Sequence, residues 1–421
     1  MRTRSGSKGV RSMSSADAHA ALAAHDTALP GLAAVLDDDI LGERLGAPSA
    51  RSYLRYKTGT SAIALVDVDG RAAIATARPV VREDKRAKAL KYVEPGDVLL
   101  DNPSEGLLVV DAMADRHLGA LRHVVRTDRL AGWLTKRGLP VDPDVRVQTL
   151  AHKPARRWVG RVPLAGERAG GHVVLRAYDR DGYQAALAAH GLLDPASCPS
   201  VALPRVLGTH RRGLLALTHL PGRTLDSRVD PATVRRLGAC LGELHASGPT
   251  KIEPVERQPA GTGLDVLAPV LGPAVDEADA IAAGASAALR PSPGSIIHGD
   301  LSLDQVIADG DVLGLIDLDR VRVGNPLDDL ASLLAVAGLE ALPSGGAPAA
   351  AELVERLHGP LVAGHASTWS GPLGDDLGPR TALAVLDRAA EPFRSGQPDW
   401  PDVTRELVSL AGALAAGRVV A

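Results

Sequence analysis

Aromatic residues are scarce in this chain of 421 residues: one Phe, five Tyr and four Trp, 2% in all. So thin a supply of rings excludes an extended base-stacking surface for single-stranded nucleic acid. Cysteine is scarcer still. Cys198 and Cys240 are too few for a disulfide framework and too far apart for a metal knuckle, so both are expected to be reduced thiols in a cytoplasmic protein. An excess of either charge is missing as well. With 47 basic and 50 acidic residues the net charge is −3, which gives no general attraction to nucleic acid or to an anionic membrane. No uncharged run approaches the ~18 residues needed to cross a bilayer. The basic, Ser- and Gly-rich segment 1–14 is followed by no apolar stretch, so it reads as a disordered start and not as a secretory leader. What remains, 45% hydrophobic and 23% charged, is the composition of a folded soluble protein with room for two or three domains.

Periodicity divides the chain. Ala16 to Leu41 is helical, broken at Pro30-Gly31. Ser52 to Ala75 holds two strand-like runs around the Asp69-Gly70 turn, and 79–145 is mixed and mainly helical. A second β-rich stretch, Val147 to Tyr178, contains Arg157 to Val162 and His172 to Ala177, joined by the loop Pro163 to Gly171. The two stretches share a pattern: Tyr-Lys then Thr-Gly-Thr at 56–60, and His-Lys then Pro-Ala-Arg at 152–156. Either an internal duplication or the recurrence of simple hairpin chemistry produces it. Strand signals at Arg205 to Thr209 and Gly213 to Thr218 follow. From Pro231 the chain is helical, apart from a strand-like stretch at Ile296 to Leu318. The fold class is therefore α+β. A β-rich lobe at 146–225 and a helical lobe at 226–421 follow an N-terminal segment at 15–145.

Chemistry concentrates in Ser295 to Asp319. An apolar lead ends in His298-Gly299-Asp300, Gln305 follows, and the Asp309-Gly310 turn folds a hairpin back toward Asp317. Two carboxylates and an amide carbonyl in one cleft are hard oxygen donors of the kind that suit Mg²⁺, whose remaining positions substrate phosphates complete.

The spacing of Asp300, Gln305 and Asp317 resembles the catalytic and metal loops of the protein-kinase-like fold. His-Gly-Asp together with Ile-Asp-Leu-Asp319 is similar to the aminoglycoside phosphotransferase and small-molecule kinase family, as is Leu-Gly-Glu-Leu-His at 241–245. The likeness covers about 147–421. It implies a two-lobed kinase-like fold, ATP and Mg²⁺ as cofactors, and phosphoryl transfer to a hydroxyl of a small molecule. Asp300 matches the catalytic aspartate that aligns the acceptor hydroxyl, and Asp317 the metal-bridging aspartate. Gln305 stands where most members carry Asn, a departure familiar from maltokinase-like members. These and glucosamine-kinase-like members also resemble the chain in carrying a cap. His298 is expected to hold the loop. Asp319 either reaches metal or acceptor or pairs with Arg320 or Arg322, and Asp328 or Asp329 is expected to anchor a helix.

For the nucleotide, either Gly166 and Gly170 let backbone amides approach the phosphates, or they belong to a plain flexible hairpin loop. Arg176 stands where the family has Lys, yet no Glu occurs from Ala177 to Gly242 to pair with it. Either Arg176 acts alone or Lys153 supplies the phosphate contact. Thr218, His219 and Leu220 correspond to the hinge that meets adenine through backbone groups. Trp400, with Glu391, Arg394 and Asp399, is expected to grip the acceptor; helix-terminating packing is the other reading of that segment. Sugars or amino sugars rank first as acceptors and aminoglycosides second. A catalytically inactive nucleotide-binding module stays open as a different class. There are 39 basic and 32 acidic residues before His298, against 8 and 18 from there on, and that acidity favours an acceptor carrying an amine.

Overall fold

The computed structural model describes residues 13–166, 171–247, 262–291, 294–371 and 373–418. Three short helices open the chain, α1 (Ser15–His25), α2 (Leu32–Leu36) and α3 (Asp38–Leu45). They pack on a five-stranded antiparallel sheet, β1 (Ser49–Lys57), β2 (Ser61–Val68), β3 (Arg71–Ala77), β4 (Val98–Asn102) and β5 (Leu107–Asp111), in the order β1-β2-β3-β5-β4. Helix α4 (Glu83–Leu90) lies between β3 and β4. Within 79–145, expected to be mainly helical, Asp111 to Ala114 supplies the end of β5 and one 3-10 turn. The apolar run Leu107 to Val110 takes the free edge of β3 instead, burying Leu107, Leu108 and Val109.

The next hundred residues repeat this plan. Helices α5 (Leu121–Val124) and α6 (Thr127–Thr135) precede β6 (Gln148–Lys153), β7 (Arg157–Pro163) and β8 (His172–Tyr178). Helix α7 (Arg180–Gly191) and the two-residue strand β9 (Val201–Ala202) lead to β10 (Val206–His210) and β11 (Leu214–Thr218). The strand order is β6-β7-β8-β11-β10, the same as in the first sheet. The register agrees as well. Ala62 pairs with Ala77, which pairs with Leu107; Trp158 pairs with Ala177, which pairs with Leu214. In each sheet the last hairpin carries a bulge at the same place, between Val98 and Leu100 and between Val206 and Gly208.

Details of the first hairpin turn recur too. Gly59 (φ +65°) and Ala155 (φ +60°) are left-handed at equivalent positions. The amide of each donates to a buried aspartate from the preceding helical segment, Gly59 to Asp26 (2.8 Å) and Ala155 to Asp115 (2.7 Å). Residue 56 or 152 leans on the same carboxylate: Tyr56 Oη donates to Asp26 at 2.8 Å, and His152 Nε2 lies 3.5 Å from Asp115. The pattern shared by 56–60 and 152–156 thus marks one supersecondary unit built twice. The packing also places Leu118 to Val145, read from sequence as cap, in the core of the second sheet around Trp158.

The helical half follows. Helix α8 (Pro231–Ala246) is capped by Asp230, which accepts from the Thr233 amide, and buries the face of Val234, Leu237, Leu241 and Leu244. After α9 (Ala268–Leu271) and α10 (Pro273–Ala287) come four short strands. These are β13 (Ser295–Ile297), β14 (Val306–Asp309), β15 (Val312–Leu315) and β16 (Arg322–Gly324), while Arg223–Thr224 (β12) pairs with β14. Helix α11 (Leu327–His365) breaks at Gly345-Gly346. It is long and apolar enough to cross a membrane, but half of its most apolar window is buried in the protein, against α8, α12 (Leu377–Arg388) and α14 (Trp400–Ala415).

The short helix α13 (Glu391–Arg394) and the start of α14 hold the aromatic residues of the tail. Trp400 is 0% exposed and Phe393 2%, their rings 4.9 Å apart, with His19 of α1 stacked 6.3 Å from Trp400. Trp400 therefore docks the first unit onto the helical half and offers no face to an acceptor, contrary to the expectation. Asp399 is exposed at the start of α14 and lies outside the cleft described below. The packing reading holds because burial of so large a ring outweighs any surface role. Trp400→Ala should thus cost about 3–5 kcal/mol in urea denaturation. A stability equal to that of the parent chain would contradict this.

Candidate active site

The segment expected to carry the chemistry is tied into a closed loop. Strands β13 and β16 pair through Ser295 with Gly324 and Ile297 with Arg322, and the β14–β15 hairpin projects between them. His298-Gly299-Asp300 leaves β13 with Gly299 at φ +83°, where a Cβ would strike the Arg320 carbonyl. Asp317 ends the hairpin at φ 62°, ψ 44°, a left-handed conformation that is uncommon outside glycine and clusters at functional sites.

A buried aspartate holds the catalytic loop. Asp329, in the first turn of α11 and 0% exposed, accepts from the amides of His298 (2.6 Å) and Gly299 (2.7 Å) and meets His245 Nε2 at 3.1 Å. Burial opposes its ionisation, but His245, His298 and the Gly299 amide overcome that and hold its carboxyl below the usual range. His245 Nδ1 shares a 2.8 Å hydrogen bond with His365 Nε2. Burial, with His245 beside it, pulls His365 down to about 3. His298 is wholly buried, and its Nε2 bonds the Ile316 carbonyl at 2.8 Å, which links the two loops.

The carboxylates meet across the interface of the second sheet and the helical half. Asp317 Oδ1 accepts from Arg176 (2.5 Å) and Arg157 (2.6 Å), and its Oδ2 from Arg157 at 3.1 Å. Asp319 takes Arg157 at 2.8 Å, Arg176 at 2.9 Å and the Tyr178 hydroxyl at 2.7 Å. Asp319 thus pairs with strand residues, not with Arg320 or Arg322. Burial works against the charge on Asp317, yet Arg176 and Arg157 hold its carboxyl far below the usual value. Arg176, 5% exposed, is consumed by these bridges and is no open phosphate ligand. Lys153 is the alternative that the structure leaves standing: it lines the cleft and has no ion-pair partner among the described residues. Burial and Arg157 lower its pKa against the pull of Glu391, Asp317 and Asp300.

Asp300 faces the same cleft. Arg388 of α12 reaches its Oδ1 at 2.5 Å while bonding Ser332 Oγ at 3.1 Å, and Arg320 lies 3.4 Å from Oδ2. Gln305 also lines the cleft, and its Oε1 is buried without a hydrogen-bond partner. That orphaned carbonyl beside an ionised Asp317 fits a hard divalent cation. Among the described residues no three His, Cys, Asp or Glu side chains form a ready-made metal cage.

Glu391 and Arg394 line the cleft as expected, paired to each other at 2.8 Å. The Gly166 loop is misplaced by the sequence reading. It lies beyond the far end of β7 from Arg157, six residues or about 20 Å along an extended strand from the carboxylates. Gly170 lies outside the described residues. The turn beside the cleft is instead Lys153 to Arg157. Thr218 closes β11, its Oγ1 accepting from the Arg205 amide at 2.8 Å. His219 follows with its ring 5.3 Å from that of His172, and Leu220 lies over Gly314.

The cleft encloses about 2910 Å³, open to solvent. Strand β1 contributes Tyr53, Arg55, Tyr56 and Lys57 to it, so that eight cationic and eight acidic described residues line it. The acidity of the chain's last third is therefore balanced where it matters, and the case for an amine on the acceptor falls away. Sequence reasoning missed Arg157, Tyr178 and Arg388. The available signal was cross-strand: Arg157 lies opposite Tyr178, two pairs along and so on the same face as Val159 and Arg176.

The sequence model of the phosphotransferase enzyme family (APH) matches residues 143–367. The chain belongs to this family. No curated protein matches it in sequence. Among solved structures, choline kinase from Cryptosporidium parvum superposes with a TM-score of 0.50 at 10% identity, covering 68% of this chain and 95% of that one. Amicoumacin kinase hAmiN, in complex with AMP-PNP, Ca²⁺ and Ami, gives 0.49 at 15%, over 70% and 96%. A thermostable mutant of aminoglycoside phosphotransferase APH(4)-Ia gives 0.46 at 15%, over 68% and 98%. The fold is the two-lobed, protein-kinase-like α+β fold of the phosphotransferase family, preceded by the extra first unit.

The buried histidines make this fold acid-sensitive. His365 (about 3) and His19 (about 4, from burial and Arg51) take up protons on unfolding, where their pKa returns to about 6.5. Stability should therefore fall as pH drops below ~6.5, by roughly 2 kcal/mol per histidine at pH 5. Urea denaturation at pH 7 and pH 5 checks this; equal stabilities would contradict it. Separately, Asp329→Ala removes the acceptor of two buried amides and should cost about 3–5 kcal/mol in the same assay.

Proposed function

We propose that this phosphotransferase moves the γ-phosphoryl group of ATP, with Mg²⁺, to a hydroxyl of a small sugar or amino sugar. One observation carries the reading: Asp300, Asp317 and the unpartnered Gln305 Oε1 converge in a single cleft. Gln305 and Asp317 would hold Mg²⁺, which supplies charge neutralisation at the phosphate oxygens. The chain's own contribution is positioning. Asp300, fixed by Arg388 and Arg320, orients the acceptor hydroxyl and takes its proton. Lys153 and Arg156, on the turn beside the cleft, neutralise phosphate oxygens. The backbone of Thr218 to Leu220 holds the adenine.

A cleft with balanced charges, two tyrosines, Ser395 and Gln397 offers hydrogen bonds to a hydroxyl-rich acceptor of glucosamine-like or maltose-like size. A place in carbohydrate metabolism in the cytoplasm follows from that choice. A second reading, a catalytically inactive nucleotide-binding module, draws on a different observation: both oxygens of Asp317 already accept from guanidinium groups.

ADP release from Mg²⁺-ATP across a panel of sugars, amino sugars and aminoglycosides separates the two. Turnover is expected with a sugar, and Asp300→Asn should cut it ~10²- to 10⁴-fold while leaving ATP affinity nearly intact. Turnover unchanged in that variant would remove Asp300 from the mechanism. Tight nucleotide binding without turnover on any acceptor would establish the second reading. Asp317→Ala should abolish the Mg²⁺ dependence of nucleotide binding, and its persistence would count against the metal assignment.

A further inference from the structure

A second cavity lies in the first unit, on the face of its sheet turned away from α1–α3. Ile63, Ile74 and Leu108 form an apolar floor, and the space above them is about 740 Å³, part of it open to solvent. The register equates this face with the one that the second sheet turns to the active site. Thr76 stands at the position of Arg176, and Arg78, next after Ala77, at that of Tyr178. The equivalence extends to the backbone. Arg78 and Tyr178 bond Gly106 and Gly213, both at positive φ (+62° and +85°), through matching amide-to-carbonyl contacts of 3.0 and 2.9 Å.

The chemistry of the two faces differs. In the first unit no aspartate pair answers Arg78. Five cationic residues line the cavity (Arg78, Arg82, Lys85, Arg86 and Arg116) against the carboxylates of Glu83 and Asp115. Arg82 and Arg86 are bridged to Asp84, Glu83 and Asp101, and Asp115 is taken up by backbone amides. Arg78, Lys85 and Arg116 have no ion-pair partner among the described residues. Burial and the like charges of Arg116 and Arg82 depress the Arg78 guanidinium below its ordinary value, the situation an anion would relieve.

We propose that this cavity is a ligand site for a small molecule that joins an anionic group to a flat apolar body. The guanidinium groups take the anion and the sheet face takes the body. Metal-bound nucleotide is the wrong occupant, because the face lacks the acidic partners that Arg157, Arg176 and Tyr178 meet in the second unit. Occupancy would be felt at the active site. Pro154 and Ala155 line this cavity, while their neighbours Lys153 and Arg156 line the catalytic cleft. Asp115, also in the cavity wall, fixes the left-handed Ala155. A single short turn thus has one side in each site.

Isothermal titration calorimetry on the full chain, with 2-naphthoate as probe and 2-naphthylmethanol as its neutral analogue, tests the site without any nucleotide. Its failure is therefore separate from a failure of the phosphotransfer reading. Saturable one-to-one binding of naphthoate is expected, weakened roughly tenfold or more by Arg78→Ala, by Arg116→Ala and by loss of the charge on the probe. Lys153→Ala, on the catalytic side of the turn, should bind naphthoate as the parent does. Absence of saturable binding, parent-like binding in both arginine variants, or loss in Lys153→Ala would overturn the site. Thermal melts establish that each variant is folded. Coupling through the turn predicts that AMP-PNP with Mg²⁺ binds with a different affinity when naphthoate is saturating; equal affinities would overturn the coupling.

Discussion

Two arginines on neighbouring strands and two aspartates on one loop join the halves of this protein at its active site. Arg157 and Arg176 each reach both Asp317 and Asp319. The four charges are buried enough that none could stand alone; removing one partner leaves a charge with no compensation. The arrangement also replaces the lysine–glutamate pair expected of kinase-like folds. With no glutamate on α7 to answer it, Arg176 turns to the metal-loop aspartates. Lys153, on the adjoining turn, is left facing the cleft without an ion-pair partner among the described residues.

A second buried charge organises the loop from below. Asp329 binds two consecutive amides of the His298–Gly299 segment and is itself held by His245 of α8. The Leu-Gly-Glu-Leu-His run at 241–245 and the Asp at 329, far apart in sequence, thus serve one purpose. Both anchor the backbone that presents Asp300, while α12 steadies its side chain through Arg388. Acid sensitivity is the corollary, because burial keeps His365, which backs His245, uncharged in the folded chain, and it takes up a proton on unfolding.

The first unit gives the molecule its particular character. It repeats the strand order, register, bulge and turn anchoring of the second unit. Its aromatic dock on Phe393 and Trp400 sets β1 along the catalytic cleft, where Tyr53 to Lys57 form part of the wall. The repetition was faintly legible at 56–60 and 152–156. Outside those turns the matched positions share little beyond burial, since a sheet asks for alternating apolar residues and not for particular ones.

The sequence by itself determined the catalytic segment, because Asp300, Gln305 and Asp317 lie within 18 consecutive residues and a short hairpin must bring them together. It also marked the start of α8, at the Pro231 where the helical pattern opens. Tertiary structure alone decided the rest of the site. Arg157 is 160 positions from Asp317 and Arg388 is 88 from Asp300, and pairing across such distances depends on how sheets and helices pack, which local periodicity does not encode. The same holds for Trp400. An aromatic ring in a Pro-bounded segment suits a sugar platform or a core equally well, and only the arrival of His19 from the other end of the chain buries it.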